Sequence, residues 1–433
     1  MTRLTEHLFI ISFDCLSSLD FSMLEDLPNF QELLIDGVHC KEVETIYPSV
    51  TYPCHTSIVT GKYPNRHGII NNTLFQPGRP SPDWYWHRRH VKGTTLYDEA
   101  KKAGMTTAAL LWPVTAKANI DYLMPEIFAN RPWHHQIPVS LMNGSFFYQL
   151  EMNHRFGHIR KGLSQPELDD FVLESTVHTI KSKKPNLMLV HFTDLDTQRH
   201  FHGFSSTDAQ AAIRRHDLRL GRIIQAIKES GLYEQSTIVA LGDHSALDES
   251  KAVKLNVLLK EQGLIEVNEK GKVIDWQAYC KSCDGSAYIY VKDQFRQTEE
   301  RVRELLQNLT AGDNGIEKVM EREKAEEKGA DPQASFMIEA DKGYYFTEHL
   351  DGAFIDEITQ EDIENRRYTV ASHGYSPEKD NYTTLIIAKG KGIRKNVQID
   401  QMHLVDEGPT FARLLGLDLG DTDGKIVNDF LMI

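Results

Sequence analysis

Apolar positions in this chain come in short unbroken runs that stop abruptly at an acid or a histidine. Leu8 to Phe13 ends at Asp14, and Asn186 to Thr193 leads to Asp194 and Asp196. Ser236 to Leu241 leads through Gly242 to Asp243 and His244, and Arg367 to Ser372 leads to His373. Runs without polar alternation suit strands covered on both faces, as in a parallel sheet. Between them the period becomes helical, over Tyr97 to Ala103 and over Thr207 to Ser230, which closes on Gly231. Alternating strands and helices predict an α/β fold, a mostly parallel sheet between helix layers. Ligands of such sheets bind beyond the carboxyl ends of the strands, where these acids and histidines fall.

Two stretches break the alternation. Residues from about 250 to 350 read as an insertion, and within it the charged segment Glu317 to Lys328 predicts a solvated helix face. Residues from about 130 to 165, rich in aromatics and histidine, read as a smaller excursion over the site. No repeat or low-complexity linker divides the remainder, so residues 1–433 read as one catalytic domain carrying insertions.

Composition then narrows the classes. Apolar residues make up 40% and charged residues 25%, which fits a globular chain with a sizeable core and excludes a disordered one. With 48 Lys+Arg against 62 Asp+Glu the net charge is −14, ill suited to a nucleic-acid polymer. No run approaches the roughly 18 apolar residues of a membrane span. Leu8 to Phe13 is too short for a signal-peptide core and has no cleavage site after it. A cytoplasmic protein without a membrane partner is therefore expected. The five cysteines are too sparse for a disulfide framework, and Cys280-Lys281-Ser282-Cys283 is a lone CxxC read as incidental thiols. Nothing in the sequence fixes the oligomeric state.

The chemistry lies in the strand-end residues. Asp196 and His200 are four apart, so one helical turn can aim both at one ion. Asp243 and His244 are adjacent, while Asp14 and His373 stand alone. Three Asp and three His compose two sites of mixed oxygen and nitrogen ligands, suited to two Zn²⁺ with Mn²⁺ as the competitor. Thr51-Tyr52-Pro53, with Gly61 closing the segment, predicts a short helix. The Thr51 hydroxyl at its N-terminus either helps to hold a phosphate or simply caps the helix.

Taken in order, these motifs resemble the alkaline phosphatase superfamily, most closely its nucleotide pyrophosphatase/phosphodiesterase family. The similarity rests on Thr51-Tyr52-Pro53, Thr60-Gly61-Lys62-Tyr63-Pro64 and His67-Gly68-Ile69-Ile70-Asn71-Asn72. It continues through Asp196 to His200, Gly242-Asp243-His244-Ser245, His373-Gly374-Tyr375 and the closing Gly390 to Gly416 region. Sulfatases of the same superfamily place a modified Cys nine residues before the Thr of Thr-Gly. Nine before Thr60 is Thr51, and Cys54 falls three too late. Four positions depart from the family pattern: Ser245 for Gly, Asn71 for Asp, Arg199 for Gly and Cys54 for Asn.

The resemblance implies that Asp196, His200 and His373 hold one metal, and Asp14, Asp243 and His244 the other. It implies Thr51 as a metal-activated nucleophile forming a phospho-threonine, with Asn72 and the Thr51 N–H donating to phosphate oxygen. Tyr52 corresponds to the aromatic on which the family stacks a nucleobase, although it would serve equally to pack beneath the site. Trp84-Tyr85-Trp86 offers a facing wall, and His202 is left open. Asp194 is assigned as an outer partner of the ligands. The expected substrate is a small phosphodiester or nucleotide. A phosphonate or phosphomonoester hydrolase and a silent binding homologue are the alternatives.

Overall fold

The apolar run after Glu6 becomes the middle of the sheet. The computed structural model describes residues 2–79, 81–292 and 296–432. Nine strands join: β1 (His7–Phe13), β2 (Val38–Glu44), β3 (Thr107–Leu110), β4 (Tyr122–Met124), β5 (Leu187–Phe192), β6 (Ser236–Leu241), β7 (Thr384–Gly390), β8 (Val397–Ile399) and β9 (Met402–His403). Their spatial order is β8-β2-β7-β6-β1-β5-β3-β4, with β9 beside β2. All pairings are parallel except those of β7, which runs against β2 and β6. The fold is thus the alkaline-phosphatase-like α/β class, a large and mostly parallel sheet between helices.

Both faces of β1 are covered, which is why its run has no polar alternation. Phe9, Ile11 and Phe13 join a core with α4 (Glu167–Lys183) and α6 (Thr207–Glu229), while Leu8 and Ile10 join another with α1 (Thr51–Thr60) and α7 (Glu407–Leu415). Three further helices matter to the site: α2 (Gln136–Asn143), α3 (Phe146–Phe156) and α5 (Asp194–His202). Gly61 ends α1 with φ +67°, and a Cβ there would lie 2.8 Å from the Pro409 ring. Only glycine serves both demands.

Two expectations are corrected. Glu317 to Lys328 is not one solvated helix. Its first half belongs to a strand, Ile316–Glu321, and only Arg322–Glu327 is helical. A register shift between Ile316 and Lys318 puts Ile316 and Met320 on opposite faces of that strand, each buried in a different core cluster. That strand edges a four-stranded antiparallel sheet with Ala278–Ser282, Ser286–Val291 and Phe336–Ala340. Likewise Arg367 to Ser372 does not enter the central sheet. Only Ala371–Ser372 pairs, with Leu247–Asp248, because Val370 N–H donates to the His200 carbonyl and Thr369 Oγ1 to Glu249.

Candidate metal centre and active site

The carboxyl ends of β1, β5 and β6 converge on one place. Asp14 follows β1, Asp243 and His244 follow β6, and α5 starts directly after β5 with Asp196 in its first turn. His373 arrives on the two-residue ribbon that crosses α5. Asp196, His200 and His373 form one group whose ligand atoms lie within 4.8 Å of one another, and Asp14, Asp243 and His244 form a second. The groups touch, since the His244 and His373 rings are 4.1 Å apart.

Hydrogen bonds set the ring orientations. His200 Nδ1 bonds the Ala371 carbonyl at 2.8 Å, which turns Nε2 toward Asp196 at 3.3 Å. His244 Nδ1 lies 3.2 Å from the Ser245 carbonyl, and its Nε2 is within 3.3 Å of both Asp14 and Asp243. Fixing one ring nitrogen on a carbonyl leaves the other as a lone-pair donor.

The electrostatics are those of a centre missing positive charge. Burial, then Asp243 and Asp196, push the Asp14 carboxyl up to about 7. Burial raises Asp243 to about 7 as well, even with His191 opposing it. Burial disfavours a charged His200, but Asp196 outweighs this and lifts it to about 10. Burial and the adjacent His244 hold His373 well below its ordinary value. Asp14 Oδ1, Asp196 Oδ1, Asp243 Oδ2 and His373 Nδ1 are buried without a hydrogen-bond partner. Orphaned buried carboxylate oxygens are costly unless a cation satisfies them. The residues present therefore fit two metal ions of the zinc or manganese kind.

Thr51 sits beside the second group. It is the first residue of α1, behind Val50 at the N-cap, and its Oγ1 lies 3.2 Å from His244 Nε2. The hydroxyl makes no capping bond, so the capping alternative is set aside. Asn72 Oδ1 accepts the Tyr52 N–H at 2.8 Å, which leaves its NH₂ as the donor at a cavity of about 770 Å³.

The cavity is bordered by Asp14, Thr51, Asn72, Asp196, His200 and His373 on the polar side. Tyr52 borders it too, but is completely buried, edge-on to Trp84 at 5.2 Å. Of the two readings left open for Tyr52, base stacking and packing beneath the site, its cluster with Ile69, Trp86 and Val114 favours packing. The half-buried aromatics at the wall are Trp84 and Phe128. His202 is exposed and outside the cavity. Cys54 is buried on Thr45, away from the cavity, and Cys280 and Cys283 are buried free thiols.

Sequence reading missed three groups at the site. His191 bonds Asp14 through Nε2 at 3.1 Å, with Glu126 3.4 Å from its Nδ1. Asp284 lines the cavity near His200, and burial raises it to about 6. His191 was visible as the one polar break in the β5 run, whereas Glu126 and Asp284 carried no local signal.

Asp194 was misassigned as an outer partner of the ligands. It faces α6, where Arg215 and Arg219 clamp it at 2.6–3.0 Å. Burial raises its pKa, but the Arg215 hydrogen bond and the neighbouring cations win and bring it down to about 2. A folded pKa below the ordinary 3.8 stabilises the fold above pH 3.8, and that contribution is lost as pH falls through about 2. Asp194→Asn should thus cost about 2 kcal/mol near neutral pH. The deficit in thermal melts should shrink toward pH 2, with metal content unchanged. Loss of metal instead would return Asp194 to the centre.

The departures from the family pattern have local reasons. Arg199 is buried, bonding the Cys15 carbonyl and, at 2.6 Å, Asp20, so it ties α5 to the segment after β1. Ser245 Oγ bonds Ser17 Oγ at 2.9 Å, and Asn71 Nδ2 donates to the Ser282 carbonyl at 2.8 Å, a bond an Asp could not make.

Comparison with known proteins agrees with this geometry. The profile of the type I phosphodiesterase/nucleotide pyrophosphatase family matches residues 8–376. Human ectonucleotide pyrophosphatase/phosphodiesterase family member 1 is 25% identical over 254 residues, 56% of this chain and 24% of that protein. Human family member 5 is 22% identical over 98% of this chain and 77% of its own length. The chain thus spans a quarter of one relative and three quarters of the other. The solved structure of human family member 5 superposes with a TM-score of 0.68 at 20% identity, over 99% of this chain and 100% of that one. A murine family member 5, an inactive Thr-to-Ala variant in complex with AMP, gives 0.68 at 19% identity with the same coverage.

Proposed function

The chain belongs to the type I phosphodiesterase/nucleotide pyrophosphatase family, and from that premise we propose that it hydrolyses phosphodiester or nucleotide pyrophosphate bonds through a phospho-threonine on Thr51, with two zinc ions at the two ligand groups. The observation that carries this reading is the Thr51 hydroxyl, free of any capping role and 3.2 Å from a candidate metal ligand. Bound there, the ions would supply Lewis acidity, lowering the pKa of the hydroxyl and offsetting charge on the phosphate oxygens. Thr51 attacks phosphorus in line, the leaving oxygen departs, and water then hydrolyses the phospho-threonine.

Asn72 is held by the Tyr52 N–H so that its NH₂ can donate to a non-bridging oxygen. A neutral amide rather than a guanidinium suits the single charge of a diester better than a doubly charged monoester. The family member solved in complex with AMP supports a nucleoside monophosphate as product, and a cavity of about 770 Å³ has room for one. Trp84 is the aromatic placed to meet a base.

Three substrates offered to the zinc-loaded protein test the reading: bis-p-nitrophenyl phosphate, p-nitrophenyl phosphate and a dinucleoside polyphosphate. The diester and the polyphosphate should lead. A monoester preference would overturn the diesterase assignment, and no turnover of any would favour a silent binding homologue. Asn72→Ala should lower kcat/KM for the diester by about 10²-fold. A loss under threefold would remove Asn72 from the site.

A further inference from the structure

The exposed large apolar side chains are concentrated in one segment. Among the described residues twelve are of this kind, and seven lie between positions 133 and 163. Trp133, Met142 and Phe147 are 73%, 73% and 83% exposed, and Phe146, half exposed, stacks edge-on against Phe147 at 5.4 Å. The other three, Ile137, Leu150 and Leu163, are exposed and also line the mouth of the catalytic cavity. On α3, Phe147 and Leu150 are three apart and share a face, so the patch is continuous with the mouth. Apolar patches of this kind on a chain surface mark contact sites.

Charge says what the contact is with. Residues 129–163 carry Arg131, Arg155, Arg160 and Lys161 against the single acid Glu151, in a chain whose net charge is −14. Some are paired, Arg155 with Glu151, Arg131 with Asp83 and Lys161 with Glu167. Arg79 and Lys183 share those acids, so five cations share three carboxylates, and Arg160 bonds the neutral Asn153 instead. Protruding aromatics beside a cationic rim are the pattern of an element that lies in a lipid interface.

We propose that the α2–α3 segment docks on an anionic lipid surface, with the cavity mouth against it. A protein partner or a second copy on this patch would cover the cavity mouth at Ile137, Leu150 and Leu163. A fluid lipid surface leaves that route open to molecules that bear a phosphodiester. Docking needs no spanning helix, because apolar side chains on two short helices and on the segments flanking them can seat in an interface.

Co-sedimentation of the full-length protein tests this, with vesicles of phosphatidylcholine alone or mixed with phosphatidylserine. The mixed vesicles should bind at least about tenfold more protein at low salt, and added NaCl should release it. Trp133→Ser with Phe147→Ser should lower that binding about tenfold. Neither residue lines the cavity, so hydrolysis of soluble bis-p-nitrophenyl phosphate and the melting temperature should be unchanged. Three results would each overturn the proposal: no binding to either vesicle, equal binding to both, or full binding by the double variant. A dimer in solution that the double variant splits would reassign the patch to a subunit interface. The binding readout does not depend on turnover, so an error in the catalytic reading would leave it intact.

Discussion

Thr51→Ala should lower turnover of bis-p-nitrophenyl phosphate by about 10⁴-fold, the scale of losing a covalent nucleophile. Fold and metal content should survive. The hydroxyl caps nothing, Val50 holds the N-cap, and α1 is otherwise secured by Cys54, Ile58 and Val59 in the core. Alanine is also the better helix former, so its cost in stability should stay below about 1 kcal/mol. Each ligand group keeps its three side chains. Thr51→Ser, which restores an oxygen, should recover much of the rate, and acid-quenched wild-type protein should carry phosphate on the peptide containing Thr51. A Thr51→Ala protein that keeps a tenth of wild-type activity would sink the nucleophile assignment, whatever its metal content.

The parts of the site that could be read from the sequence were those whose geometry is local. Asp196 and His200 are one helical turn apart, and α5 places them side by side as that spacing requires. Asp14 and Asp243 follow runs buried on both faces, so the parallel pairing of β1 with β6 fixes their meeting. His373 is different. It reaches the centre on a ribbon held by the His200 carbonyl and Glu249, contacts that span more than a hundred residues and leave no mark on local periodicity.

What could not be read depends on how side chains share space. Tyr52 sits next to Thr51 in sequence, yet whether its ring is free depends on Trp84 and Trp86, which arrive from a separate loop. Asp194 and Asp196 are two apart on one helix and therefore point to different sides, one into the Arg215–Arg219 clamp and one into the cavity. Spacing chose correctly which of them pairs with His200, but it could not tell what the other one faces. The charged run Glu317 to Lys328 was read as a solvated helix face, but charge alone does not separate an exposed helix from an edge strand such as Ile316–Glu321.

Removing metal should abolish activity, and zinc should restore it. Without a cation, three buried carboxylates share one small volume, and burial with mutual repulsion holds Asp14 and Asp243 near 7 rather than 3.8. A divalent ion in each group replaces repulsion with attraction and occupies the orphaned oxygens of Asp14, Asp196 and Asp243. Ions that bind only the folded chain must stabilise it, by about 4 kcal/mol at a free concentration a thousandfold above Kd. The stripped protein should therefore melt earlier, and elemental analysis of the loaded protein should find two ions per chain. Asp196→Ala and Asp243→Ala separate the groups, since their ligand sets share no residue. Each variant should lose one ion and nearly all turnover, and the double variant should hold none. Manganese can compete for the same donors, so restoration by Mn²⁺ alone would change the native metal without touching the ligand assignment. Full activity in excess chelator, or two ions retained by Asp196→Ala, would end the two-metal reading of the four buried polar atoms left without partners.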